Sequence, residues 1–247
     1  MALIHSFEKS GNTLFKYRGQ IPMLLFLFAV PIIYFTDYDF LSVQQYQIFT
    51  YIAIGISVFG FLFRAYAIGT TPKGTSGRNT SEQVAETLNT TGIYACVRHP
   101  LYVGNYFMWI GIVLFTFNIY YVVLVSLAFW LYYERIMFAE ERFLERKFGQ
   151  VYLDWSMKVP AFIPAFKNYI SGTTSFSLKT VLRREYTGIL ATVLSFTFID
   201  YLRTYFLTNH IDENRLSLKI LIATFVFAFI LRSLKHYTKL LNEEGRS

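Results

Sequence analysis

Gly92-Ile93-Tyr94-Ala95-Cys96-Val97-Arg98-His99-Pro100-Leu101-Tyr102-Val103-Gly104-Asn105 sets two basic side chains directly against a proline, and an apolar run follows as far as Phe117. Proline is tolerated at the first position of a helix, where its missing N–H has no intrahelical partner to lose. The stretch therefore predicts a hydrophobic helix that starts at Pro100, with Arg98 and His99 at its mouth. A helix this apolar belongs in a bilayer, so the mouth lies where membrane meets water. Its free N–H groups carry a positive partial charge and suit an anionic group of a ligand.

The rest of the chain agrees with a membrane setting. Of 247 residues, 54% are hydrophobic and 16% charged, against roughly a quarter charged in soluble domains. The expected class is an all-α, polytopic integral membrane protein. A net charge of +7 would suit nucleic acid in a soluble protein. Here it marks cytoplasmic loops and anionic lipid heads, and excludes nucleic acid as a partner. The one cysteine, Cys96, allows neither an internal disulfide nor a multi-cysteine zinc site, and reads as a small buried hydrophobe. His5, His99, His210 and His236 are scattered, so no metal site is expected. A Walker loop and a serine-hydrolase elbow are both absent.

Six spans are expected, over residues 20–35, 46–68, 100–117, 120–133, 186–207 and 218–231. The first follows Lys9, Lys16 and Arg18, contains Pro22 and Pro31 and lacks a small-residue cleavage site, so it reads as a span and not a signal peptide. Arg64, near the end of the second, is expected to snorkel to the interface. Asn118 and Ile119 leave so tight a break that the third and fourth spans form an antiparallel hairpin. Beyond Tyr133 the pattern becomes amphipathic through Phe148, so the fourth helix is expected to continue into water. Residues 69–91 read as a polar loop with a short interfacial helix over 81–88 capped by Ser81. Residues 149–164 read as a loop with aromatic anchors, and 165–185 as a polar, basic connection. The chain thus divides into an N-terminal segment and first span (1–44), a core around the hairpin (45–166), and a basic segment with the last two spans (167–247).

With the N-terminus in the cytosol, all of the 23 Lys and Arg except Arg203, Arg215 and Lys219 fall on or beside cytoplasmic segments, as the positive-inside rule requires. The same assignment brings Arg98, His99 and the charged end of the fourth helix to one face, the cytosolic one.

Three groups of residues there have chemistry to offer. Tyr102 and Asn105 share the first turn after Pro100, and Gly104 leaves room for a ligand or a neighbouring helix. Position alone also fits a membrane anchor, with Arg98 on a lipid phosphate and Tyr102 in the headgroup belt. Glu140, Glu141 and Arg142 lie at the far end of the fourth helix. As a charge run they suit a solvated face; with one carboxylate turned inward they suit a polar ligand. Lys73 and Arg78 lie in a Gly-, Ser- and Thr-rich loop that suits a solvated connection or an anion cradle.

The ordered set resembles a known superfamily. Arg98-His99-Pro100-Leu101-Tyr102-Val103-Gly104, then Glu140-Glu141-Arg142-Phe143-Leu144 through Phe148-Gly149 and Tyr152, then Val159-Pro160-Ala161-Phe162-Ile163-Pro164 is similar to the isoprenylcysteine carboxyl methyltransferases and phospholipid methyltransferases. The resemblance covers about residues 45–166. It implies an integral membrane enzyme that uses S-adenosylmethionine without a Rossmann domain, the cofactor sitting at the cytoplasmic end of the hairpin and a lipid acceptor entering from the bilayer. On that reading, His99, Pro100, Tyr102, Gly104, Asn105, Glu140 and Glu141 are expected to hold the cofactor, Arg98 and His99 to act in catalysis, and Lys73, Arg78, Arg98 and Arg142 to orient the acceptor's anionic head.

Methyl transfer from a sulfonium depends chiefly on positioning. A carboxylate or phosphate acceptor needs no base at neutral pH, whereas a protonated amine does. The basic residues favour an anionic lipid head, such as a lipid A phosphate or a prenylcysteine, over a phosphatidylethanolamine-type amine. Sterol-type reductases share a similar Arg-His-Pro-x-Tyr-x-Gly segment and use NADPH, but Asn105 and the 140–149 run depart from their pattern. A non-catalytic lipid-binding membrane protein is the remaining reading.

Overall fold

The computed structural model describes residues 2–75, 83, 85–172 and 174–246. The described residues form eight α-helices: α1 (Leu3–Lys16), α2 (Leu24–Phe35), α3 (Val43–Gly69), α4 (Pro100–Leu114), α5 (Ile119–Phe148), α6 (Gln150–Ser156), α7 (Leu178–Thr208) and α8 (Leu216–Tyr237). Among the described residues the regular elements are all helical, as predicted. Of the six expected spans, α3, α5 and α8 are long and apolar enough to cross a membrane. Helices α2 and α4 are apolar but shorter, at 12 and 15 residues. Helix α7 has the length, at 31 residues, but carries Arg184, Glu185, Asp200 and Arg203 within its buried positions. Leu124, Leu127 and Leu131 of α5 and Ile222, Phe225 and Phe229 of α8 all point outward and are exposed, the surface a bilayer covers.

Local chemistry fixes the helix ends. Ser42 caps α3 by accepting from Gln45 N at 3.3 Å, while Gln45 Oε1 accepts from Ser42 N at 3.0 Å, a reciprocal capping box. Asn118 caps α5 by accepting from Tyr121 N at 3.0 Å, and its amide also donates to Thr36 Oγ1 at 2.9 Å, tying the hairpin turn to the end of α2. Helix α5 then runs unbroken for 30 residues, through the expected exit from the membrane. It stops at Gly149, whose φ of +55° a β-carbon would disfavour.

Small residues let α3 and α4 touch backbone to backbone. A β-carbon on Gly60 would meet Met108 N at 2.5 Å, and one on Gly111 would meet Ala53 O at 2.5 Å. Ser57 Oγ spans the gap by donating to Met108 O at 2.6 Å. An apolar core of Ala29, Ile33, Ala53, Val113, Tyr121, Val125 and Ile199 draws α2, α3, α4, α5 and α7 together around the far end of the hairpin. A second core of Phe15, Tyr102, Phe129, Tyr133, Ile136 and Met137 lies towards the Arg98 end.

One helix is added to the expected elements, and three local expectations change. Residues 3–16 form α1, which packs on the extension of α5. Arg135 lies over the Phe7 ring at 3.5 Å, Tyr132 donates to Leu14 O at 3.1 Å, and Arg146 pairs with Glu8 at 2.6 Å. Residues 150–156 are helical, with Gln150 donating to Asp154 one turn on at 2.8 Å. Helix α7 begins at Leu178, well before residue 186, because Ser177 caps it by accepting from Thr180 N at 3.1 Å. Of the interfacial helix expected over 81–88, Ser81 lies outside the described residues, and residues 85–88 are not helical.

Candidate active site

The mouth of α4 is set by backbone pairing with the loop after α6. Gly92 takes φ +60° and donates to Ile170 O at 2.7 Å, opening a tight turn over Ile93–Ala95. Arg98 N then donates to Pro160 O at 2.9 Å, His99 N to Ala161 O at 3.2 Å, and Ala165 N to Cys96 O at 2.9 Å. The Arg98-His99-Pro100 and Val159–Pro164 motifs are therefore neighbours in space. His99 O accepts from Tyr102 N and Val103 N at 3.1 and 3.2 Å, so His99 is the N-cap and Pro100 the first helical residue. The His99 side chain makes no cap bond and is free to point elsewhere.

It points at the end of α5. His99 Nε2 lies 2.9 Å from Glu141 Oε1, and Nδ1 lies 3.4 Å from Glu140 Oε2. Tyr102 donates its hydroxyl to Glu140 Oε1 at 2.7 Å, and its ring lies nearly parallel to the imidazole, with centroids 5.7 Å apart. Arg98 Nε lies 3.0 Å from Glu141 Oε1, and Nη1 donates to Ser156 O at 2.6 Å. Burial favours the neutral imidazole, but the hydrogen bonds and charges of Glu140 and Glu141 outweigh it and raise the His99 pKa above the usual value.

A second knot stands beside the first. Arg64 of α3 makes a bidentate pair with Glu185 of α7, at 2.9 and 2.7 Å. Its remaining nitrogen donates to Asn105 Oδ1 at 2.6 Å and Leu101 O at 3.2 Å. Asn105 Nδ2 donates onward to the Tyr133 hydroxyl at 3.1 Å. The expectation that Arg64 snorkels is therefore corrected: it turns inward because α7 offers a carboxylate of 4% side-chain exposure, and a buried charge needs a partner.

Between the knots is a cavity of about 380 Å³, within the range of small-molecule sites. Arg98, His99, Pro100, Tyr102, Asn105 and Glu140 line it. Glu141 does not; it holds Arg98 and His99 from behind. Gly104 faces α3, where a β-carbon would run into Arg64 Cγ and Gly60 O. Lys73 is exposed, and its N donates to Gly245 O at 3.0 Å. Arg142 pairs with Glu145 at 2.6 Å on the side of α5. Neither Lys73 nor Arg142 lines the cavity, and Arg78 lies outside the described residues.

The cavity also takes in Phe15, Arg18, Arg64, Tyr94, Tyr133, Arg184 and Glu185, none of which the motif reading singled out. A signal for the α1 wall was present: Leu3, Phe7, Gly11 and Phe15 recur at helical spacing. For Arg64 and Glu185 the signal was a charge of each sign in or beside an apolar run.

A family model described as phospholipid methyltransferase matches residues 47–151. The chain is similar to the protein-S-isoprenylcysteine O-methyltransferase of Schizosaccharomyces pombe, 35% identical over 115 residues, which are 44% of this chain and 48% of that protein. The Tribolium castaneum protein of the same name is 29% identical over 133 residues, 53% of this chain and 47% of its own. Nickel-cobalt-cadmium resistance protein NccN of Alcaligenes xylosoxydans xylosoxydans is 35% identical over 99 residues, 40% of this chain and 44% of its own. The chain spans about half the length of these curated relatives. No solved structure matches.

Proposed function

We propose, from the premise that residues 47–151 belong to the phospholipid methyltransferase family, that this membrane protein transfers a methyl group from S-adenosylmethionine to a membrane-associated acceptor. The finer reading is an anionic lipid head, a phosphate or a prenylcysteine carboxylate, met at the cytosolic face. One observation carries it. Glu140 and Glu141 on one arm of the hairpin meet His99 and Tyr102 on the other, at the edge of a cavity large enough for a cofactor.

The lining fits the cofactor's chemistry. Glu140 is an acceptor for ribose or amino hydrogens, and the rings of Tyr94, Tyr102 and Tyr133 suit a positively charged sulfonium. Bound there, S-adenosylmethionine supplies an electrophilic methyl carbon. His99 and Tyr102 fix the Glu140 carboxylate from two sides. Glu141 fixes His99 in turn and draws Arg98 to the cavity wall. An anionic acceptor already presents a lone pair, so no residue has to remove a proton. What these residues contribute is orientation and exclusion of water.

Calorimetric titration of the detergent-purified protein with S-adenosylmethionine and with NADPH tests the reading. Binding of S-adenosylmethionine alone is expected. Binding of NADPH alone would replace the proposal with a reductase, and binding of neither by a folded protein would favour a lipid-binding scaffold.

A further inference from the structure

The knot around Arg64 decides which way the Tyr133 hydroxyl faces. A guanidinium donates hydrogen bonds and accepts none. The Asn105 atom that Arg64 Nη1 meets at 2.6 Å is therefore the amide oxygen. That leaves Nδ2 as the atom 3.1 Å from the Tyr133 oxygen, and an amide nitrogen only donates. Tyr133 is the acceptor in this bond, so its own proton is turned away from Asn105. Among the described residues, this is the only hydrogen bond that the Tyr133 hydroxyl makes. Glu185 fixes Arg64 through two bonds, Arg64 fixes the Asn105 amide, and the amide fixes the phenol. The chain of bonds runs one way.

The ring that carries this hydroxyl is clamped. Phe129 stacks on it with centroids 4.2 Å apart, and the Tyr102 and Trp109 rings lie at 4.7 and 6.1 Å. Tyr133 nevertheless lines the cavity. It differs from Tyr102, whose proton is already given to Glu140. The two also stand at different depths. Tyr133 precedes Glu140 by seven positions on α5, roughly 10 Å further into the apolar part of the hairpin at about 1.5 Å per residue. The cavity thus has carboxylate and imidazole at its mouth and a hydroxyl donor towards its membrane end. A donor in that place suits a molecule with lone pairs on its head and an apolar remainder.

We infer that the Tyr133 hydroxyl donates to a non-reacting head oxygen of the methyl acceptor, and that Arg64 and Asn105 are the positioning residues that aim it. The inference rests on the proposed methyl transfer for what that occupant is. A carboxylate or a phosphate carries more than one oxygen. One accepts from Tyr133 while another attacks, so the attacking lone pair stays uncovered and its direction is fixed. That oxygen forms its bond to the methyl carbon as the carbon–sulfur bond breaks, and the electron pair leaves with sulfur. No proton moves, so Tyr133 keeps its own. Phosphate and carboxylate heads share this chemistry, and the test separates them.

The full chain in detergent is titrated with two pairs of probes, each pair differing only in the head. One is S-prenylated N-acetylcysteine against S-prenylated N-acetylcysteamine, which lacks the carboxyl group. The other is dihexanoyl phosphatidic acid against dihexanoylglycerol. The native protein is expected to prefer the headed member of at least one pair, and that pair identifies carboxylate or phosphate. Tyr133→Phe should reduce the preference by roughly tenfold, the size of one hydrogen bond to a charged oxygen. It should leave S-adenosylmethionine affinity within about twofold, because the ring that suits the sulfonium is kept. Should Tyr133→Phe fail to fold with Asn105 Nδ2 left unpaired, Tyr133→Phe with Asn105→Leu removes both ends of the bond and reads the same ratio. No head preference in the native protein, or a preference that survives in a folded variant, overturns the inference. A variant that loses S-adenosylmethionine affinity and keeps the head preference also overturns it, since the hydroxyl then serves the donor. If the preference follows Tyr133 but the native protein does not bind S-adenosylmethionine, the methyl-transfer reading falls and the head site stands.

Discussion

Tyr102 donates its hydroxyl to Glu140 Oε1 at 2.7 Å, from the first turn of one hairpin arm to the last turns of the other. The bond joins the motif at the mouth of α4 to the charged end of α5, and the Tyr102 ring stacks on His99 at the same time. Tyr102→Phe keeps the ring and removes only the bond. A hydrogen bond to a charged group contributes about 1.5–3 kcal/mol to stability, so the melting temperature should fall by several degrees, and the S-adenosylmethionine Kd should rise because Glu140 is no longer held. An unchanged Kd would show that the fixing of Glu140 does not matter to the cofactor.

His99→Ala and Glu140→Ala should each abolish calorimetric S-adenosylmethionine binding, with the purified variants still eluting as folded protein. Normal binding by both would place the cofactor elsewhere.

The His99 pKa is raised in the folded protein. Its imidazolium therefore adds stability that is fully present below the unfolded value of about 6.5 and is lost as pH rises through the higher folded value. Above that, Glu140 and Glu141 lose the charged imidazolium that both of them contact. The melting temperature of the native protein should exceed that of His99→Gln most at pH 6, and the gap should narrow towards pH 9. A gap independent of pH would mean that the His99 pKa is the same in the folded and unfolded states.

Arg64→Met alone leaves Glu185 buried without its partner, which should cost about 3–5 kcal/mol. Arg64→Met with Glu185→Leu should recover most of that loss, because both desolvation penalties disappear together. Denaturation of the single and double variants in one detergent gives the coupling; additive losses would mean that the pair is not a unit.

Gly104→Ala should lower stability by about 1–3 kcal/mol through overpacking, since its methyl group would run into Arg64 Cγ and the Gly60 carbonyl. Arg64→Ala removes one of the two clashing atoms, so the loss in the double variant should be smaller than the sum of the two single losses, and thermal melts of both single variants and the double check it. No loss in Gly104→Ala would mean that α3 and α4 can move apart freely.

The hairpin and its mouth were readable because their signals are local. A proline after two basic residues, an apolar run and an asparagine break each act over a few positions, and the structure follows them closely. The carboxylates facing His99 were readable for another reason: helix α5 has no stop signal before Gly149, so its charged end had to remain in line with the hairpin. Arg64 was misread since its partner, Glu185, lies 121 positions away in a stretch that sequence took for a solvated connection. Near a helix end the interface is the ordinary destination of an arginine, and only tertiary packing supplies the alternative. Arg18 escaped for a similar reason, because α1 becomes a wall only by lying against α5.

Helix α5 also acts as a ruler. From Ile119 to Glu140 it climbs roughly 32 Å at about 1.5 Å per residue, close to the roughly 30 Å depth of a bilayer's hydrocarbon layer. Turnover should then respond to lipid chain length even when the headgroup is held constant. On the proposed methyl transfer at the membrane face, a bilayer much thicker or thinner than this span would move the Glu140 end away from the level of the heads.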